Sequence, residues 1–223
     1  MPQRQLMSLT ITWIRHGESE WNARRVWQGH SESPLSALGK AQAESLSMRF
    51  QKAGYRFDRV YSSDLGRALE TARLALPQAE IVVDPRLREI HFGALEGRTL
   101  EELRPEEGEE FKRWWASPYD TVLSGGGESM ASVRQRVDAW RAELGDGNIA
   151  VFTHGGVIRD ALWRETSPPA QGSWSFQVDN TSLTEIAYNE IRPGGVPNLR
   201  ARILRVNDHA HLEGLTATDG QTL

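Results

Sequence analysis

Short β-rich runs alternate with longer helix-like ones along most of this chain, and that alternation restricts the fold more than any other feature. Leu9–Ile14 reads as a first strand. A helical stretch, Ser36–Ala53, follows, with Ser36 at the N-cap position and Gly54 just past the end. Phe57–Tyr61 reads as a second strand, after which Ser62-Ser63-Asp64 offers caps for a helix running to about Leu76, stopped by Pro77. Ile81–Asp84 is a short strand, and Met130–Leu144 is a helix ending at Gly145. Asn148–Thr153 and Val157–Arg164 form a further strand–helix pair. Ser182–Tyr188 and Leu199–Val206 flank a turn rich in Pro and Gly, and read as antiparallel strands. Such alternation predicts an α/β fold with a mainly parallel sheet covered on both faces, made mixed by the last hairpin.

The 223 residues suffice for one such domain, expected over 9–212, with flexible tails at 1–8 and 213–223. One segment breaks the alternation. Gly97–Trp115 is acidic and helix-like, and a loop with Pro118 and Gly125-Gly126-Gly127 follows it. It reads either as a surface excursion or as a cap insertion, about 94–128, over the strand ends. The net charge of -4 gives no basic excess for nucleic acid or an anionic membrane surface. Without cysteine, disulfides, thiolate metal sites and cysteine nucleophiles are excluded. The polar N-terminus and the short apolar run after it suit neither a signal peptide nor a membrane span, so the expected location is cytoplasmic.

Two strand ends carry the chemistry. The first delivers Arg15 and His16 onto Gly17; a later one ends at Thr153 and delivers His154, followed by Gly155-Gly156. In open α/β sheets ligands bind outside the carboxyl ends of strands, where helix N-termini supply N–H groups. The second strand adds Ser62-Ser63-Asp64 and then Arg67. Two arginines and two histidines converging on one phosphate suit phosphoryl transfer, which depends on positioning and charge stabilisation. A neutral imidazole can attack phosphorus, provided its other ring nitrogen is held by an acceptor, most simply a backbone carbonyl. Neighbouring arginines help keep it unprotonated. The departing alkoxide needs a proton, and Glu89 is the best-placed carboxyl because it follows the strand Ile81–Asp84.

Each residue has a duller assignment. Arg67 could be a surface residue paired with Glu70 or Glu44, His154 a satisfied core histidine, and Glu89 a partner for Arg86 or Arg88. The joint pattern favours the pocket.

Taken in order, these stretches resemble the histidine phosphatase superfamily, also called phosphoglycerate mutase-like. The matching segments are Arg15–Asn22, Pro34–Gly39, Tyr61–Ala68, Glu89–Gly97 and Thr153–Gly156, with the likeness running from about Leu9 to Leu212. The resemblance implies a three-layer α/β/α sandwich with a mixed sheet, no metal and no cofactor. It implies that His16 is the nucleophile, that Arg15, Arg67 and His154 form the phosphate pocket, and that Glu89 is the proton donor. Asn22 would lie at the pocket edge and help hold the phosphate.

The phosphoglycerate mutases of the family carry Glu-Arg-His-Tyr-Gly where this chain has Glu89-Ile90-His91-Phe92-Gly93, and a longer cap with paired arginines where it has Arg113. The form seen at Phe92–Gly97 resembles the phosphatase branch. The expected function is therefore a metal-independent phosphomonoesterase acting on a small-molecule phosphate ester. A cofactor-dependent phosphoglycerate mutase is the alternative, and a non-catalytic phosphate-ligand sensor a third. Trp21, Trp27, Trp114 and Trp115 read first as core, or else as a lining that selects an apolar leaving group. His209 and His211 would share a face on a strand, but no further ligand cluster accompanies them. Oligomeric state stays open; an exposed edge or cap face could support a homodimer.

Overall fold

Six strands form a single mixed sheet in the computed structural model, which describes residues 8–99, 101–102, 108–166, 175–191 and 198–215. They are β1 (Ser8–Arg15), β2 (Arg59–Ser62), β3 (Ile81–Val83), β4 (Gly147–Thr153), β5 (Leu183–Ile191) and β6 (Asn198–Asp208), in the order β3-β2-β4-β1-β5-β6. β1 to β4 are parallel, whereas β5 runs antiparallel to both β1 and β6. The helices are α1 (Glu20–Ala23), α2 (Ala37–Ala53), α3 (Gly66–Ala75), α4 (Gly108–Ala116), α5 (Met130–Arg141) and α6 (Gly155–Thr166).

Successive strand residues face opposite ways, and here both faces are covered. On one, Leu46 and Phe50 of α2 and Ala72 and Ala75 of α3 meet Ile14, Ala150 and Phe152. On the other, Val137 and Trp140 of α5 and Ile158 and Leu162 of α6 meet Ile11, Trp13, Ile149 and Val151. The result is the expected helix–sheet–helix sandwich.

Local signals were reliable where no distant partner competed. Ser36 caps α2, its Oγ accepting from Gly39 N at 3.0 Å, and Gly54 ends it at φ 69° in the left-handed region. The caps expected of Ser62-Ser63-Asp64 fail: the N-cap of α3 is Leu65, without a side-chain cap bond. Glu32 accepts the Gly66 N–H instead, and Asp64 is taken by Arg88 at 2.5 Å. Ser8, expected in a tail, pairs within β1 and donates its N–H to Asp146 at 3.0 Å. The remaining tail expectations, 1–7 and 216–223, lie outside the described residues, as do residues 100 and 103–107 of the acidic stretch.

His209 and His211 do not share a strand face, because β6 ends at Asp208 and a 3-10 turn, Ala210–Leu212, follows. The Nδ1 of His209 bonds the Asn207 carbonyl, whereas His211 bonds the Thr181 hydroxyl through Nε2. Among the described residues no cluster of three or more His, Asp or Glu side chains is placed to hold a metal ion. No described helix is long and apolar enough to cross a membrane.

Candidate active site

Adjacent parallel strands bring the two histidines together. β1 and β4 pair Arg15 with Thr153, and His16 N continues the ladder to the Thr153 carbonyl at 2.9 Å. The rings of His16 and His154 consequently lie 5.2 Å apart, inclined at 58°. β2 flanks β4 on its other side and carries the chain into α3, whose first turn supplies Arg67. That arginine is only 1% exposed, so it is no surface partner of Glu70 or Glu44.

His16 is held in one tautomer. Its Nδ1 lies 2.7 Å from the Gly17 carbonyl, which can only accept, so Nδ1 carries the proton and Nε2 keeps its lone pair. Burial, followed by the charges of Arg67 and Arg15, holds this imidazole well below the usual range and therefore neutral. Gly17 in turn donates its N–H to Thr71 Oγ1 at 2.9 Å, which ties the loop to α3.

Three buried polar atoms of the groups next to His16 have no partner among the described residues: Arg15 Nε, Arg67 Nε and His154 Nδ1. Both outer nitrogens of Arg67 and one of Arg15 are anchored. Arg15 Nη1 donates to the Val178 carbonyl at 2.6 Å, and Arg67 donates to the carbonyls of Gly29 (2.7 Å) and Ser31 (3.0 Å). Rigid guanidinium forks with an unsatisfied inner N–H are what a tetrahedral oxyanion requires, since buried polar groups otherwise carry an uncompensated cost. Burial also lowers both arginines, Arg67 to about 10. His154, likewise depressed by burial and then by Arg67, is completely buried yet not a satisfied core histidine.

Glu89 approaches from the loop after β3. Its carboxylate accepts the N–H of Gly156, at the start of α6, at 3.1 Å and that of Ile90 at 3.0 Å. The rival partners are engaged elsewhere: Arg86 with Asp84 and Glu143, Arg88 with Asp64. Its backbone carbonyl accepts from His30 Nε2 and from Arg136 Nη2, each at 2.8 Å. Arg136 also donates to the carbonyls of Arg86 and Arg88 at 2.7 Å and pairs with Glu128. Asn22 spends its Oδ1 on Ser19 in the capping box of α1, which leaves its amide nitrogen as the group able to serve a ligand.

Sequence reasoning missed the Arg136–Glu128 clamp, His30, and Arg159, a third buried arginine that donates to the Phe176 carbonyl at 3.1 Å. A Cβ on Gly155 would lie 3.0 Å from Arg159 Nη1 and 3.7 Å from Arg15 Nε, so these guanidinium groups are neighbours. No spacing rule announces these contacts: Arg136 reaches back 47 residues to the Glu89 carbonyl, and His30 lies 59 residues before it. Of the four tryptophans read first as core, Trp27 and Trp114 are buried and Trp21 is half-buried. Trp114 is 0% exposed and meets Trp27 edge-on at 5.5 Å, while Trp115 lies on the surface, 48% exposed.

The histidine phosphatase superfamily (branch 1) model matches residues 11–196. The chain belongs to this superfamily. Relatives within it differ in what they are named for. Phosphoglycerate mutase-like protein 4 of Arabidopsis thaliana is 36% identical over 168 residues, 72% of each chain. The adenosylcobalamin/alpha-ribazole phosphatase of Escherichia coli is 34% identical over 183 residues, 79% of this chain and 89% of that one. Phosphoserine phosphatase from Entamoeba histolytica, in complex with phosphoserine, superposes with a TM-score of 0.72 at 27% identity, covering 92% of this chain and 99% of the other. The superfamily assignment thus accompanies several substrates.

Proposed function

We propose that this chain is a metal-independent phosphomonoesterase that works through a phosphohistidine at His16. The observation that carries the reading is the Nδ1–Gly17 bond, which leaves the Nε2 lone pair of a buried, neutral His16 free to attack, beside Arg15, Arg67 and His154, whose buried Nε and Nδ1 atoms have no partner among the described residues. Nε2 attacks phosphorus as the bond to the ester oxygen breaks, and that oxygen takes a proton from Glu89. Water then attacks the phosphorus, the P–N bond breaks, and Glu89 accepts the proton from water. The arginines and His154 bind the phosphoryl oxygens throughout, Asn22 assists at the edge, and the substrate is a small-molecule phosphate ester.

A second reading, a phosphoglycerate mutase, is favoured by the name of the Arabidopsis relative. Against it, Arg113 is an exposed residue of α4 and residues 89–93 lack the mutase signature. Incubation with a panel of phosphomonoesters, including 3-phosphoglycerate, in the presence of chelator separates the two. Inorganic phosphate released by the wild type but not by His16→Ala supports the esterase. Isomerised phosphoglycerate without net phosphate release supports the mutase, and neither product supports a non-catalytic sensor.

A further inference from the structure

Ser63 stands at the end of β2 beside His154, fully buried, and the proposed chemistry gives it no task. Its Oγ lies 2.9 Å from His154 Nε2 and accepts the Leu65 N–H at 3.3 Å. A hydroxyl carries one proton and two lone pairs. With one lone pair given to Leu65, two arrangements remain for the contact with His154. If the imidazole donates, the Ser63 proton has no acceptor among the described residues, and His154 Nδ1 turns a bare lone pair toward the anion. If Ser63 donates, its own hydrogen-bonding capacity is used well, and the proton of the neutral ring sits on Nδ1. That nitrogen is the buried, unpartnered atom of the phosphate pocket. Only the second arrangement gives an oxyanion a donor.

We propose that Ser63 is a positioning residue that fixes His154 in the Nδ1–H tautomer and thereby makes it a phosphate donor. The proposal rests on the phosphate-pocket reading above but makes a separate claim, about a proton in the ligand-free protein. Its action runs through His154, since the Ser63 hydroxyl is engaged by the His154 ring and the Leu65 N–H.

The test is nitrogen-15 NMR of histidine-labelled protein at pH 7.5, free of phosphate, where the ring couplings of His154 report which nitrogen carries the proton. The wild type is expected to show protonated Nδ1 and unprotonated Nε2. Protonated Nε2 would overturn the proposal, and this spectrum decides the matter even if no variant folds. In Ser63→Ala the tautomer is expected to move toward Nε2–H while the His16 signals keep their Nδ1–H pattern. Inorganic phosphate should then bind about tenfold to hundredfold more weakly, the worth of one hydrogen bond to a charged group. Ser63→Thr, which keeps the hydroxyl, should restore both. An unchanged His154 tautomer in Ser63→Ala would also contradict the assignment. The wild-type spectrum is read without turnover, so absence of phosphatase activity would leave this result standing and count only against the esterase.

Discussion

A Cβ on residue 156 would lie 2.3 Å from Glu89 Oε1, so the carboxylate reaches the first turn of α6 only because that residue is glycine. The carboxylate accepts one N–H from this helix, Gly156, and one from its own loop, Ile90, while Arg136 and His30 hold the Glu89 carbonyl. Gly156→Ala is therefore expected to displace the carboxylate and lower kcat on alkyl phosphates by about a hundredfold, the lower end of what a general acid supplies. Steady-state kinetics check this. An alanine variant with wild-type kcat would show that Glu89 need not occupy this position.

Removing the acid while keeping its shape separates chemistry from placement. Glu89→Gln is expected to slow an alkyl phosphate by about a hundredfold or more, and an activated aryl phosphate far less, because the aryl leaving group departs without a proton. Equal losses on both substrates would rule out proton donation by Glu89.

The clamp behind Glu89 acts on catalysis and on stability together. Arg136→Met leaves the carbonyls of Arg86, Arg88 and Glu89 without their shared donor and leaves Glu128 without its cation. A cost of about 2–4 kcal/mol is expected from unmade bonds to largely buried groups. It should appear in denaturant unfolding, with the kcat loss again larger for alkyl than for aryl phosphates. A variant that loses stability without this leaving-group dependence would show that the clamp serves only the fold.

Acid should weaken the fold through its histidines. His16 and His154 are held well below the ordinary imidazole value by burial first, and His211 is pushed down to about 4 by burial and then by Arg49. A depressed folded-state value means that the unfolded chain takes up protons first. The stability these groups contribute is complete above about pH 6.5 and is lost as the pH falls through their folded values. Unfolding free energy should accordingly decline between pH 7 and pH 4. A profile that is flat over that window would contradict the burial assigned to these rings.

The loop after His16 depends on a backbone approach that only glycine permits. A Cβ on Gly39 would lie 1.9 Å from the Glu18 carbonyl oxygen, and one on Gly17 would lie 2.5 Å from the Gly39 carbonyl oxygen. Gly39→Ala should cost about 2 kcal/mol through overpacking and lower Tm by about 4–8 °C. An unchanged Tm would mean that the loop can move away freely.

What was legible in the sequence was what neighbours decide. The apolar run into Arg15-His16-Gly17 and the run into His154-Gly155-Gly156 placed both histidines at strand ends, because strand length and a glycine turn are local matters. The αL ending at Gly54 was legible for the same reason. Asp64 was misread as a cap because Arg88, 24 residues on, binds it more strongly than the helix N-terminus does. The clamp of Arg136 on Glu89 spans 47 residues, and the bond of Ser63 to His154 spans 91. Neither separation leaves a periodic trace, so the groups that orient the site become visible only after the chain is folded. The tryptophans divide: Trp27 and Trp114 lie in the core, as first read, whereas Trp115, read the same way, is exposed.

The most direct test of the account is rapid quenching of the wild-type protein with a phosphorus-labelled aryl phosphate, followed by peptide mapping under alkaline conditions that preserve phosphohistidine. The account predicts label on the peptide containing His16, bound to Nε2, and no label in His16→Ala. Turnover in that variant, or label on any other residue of the wild type, would contradict it.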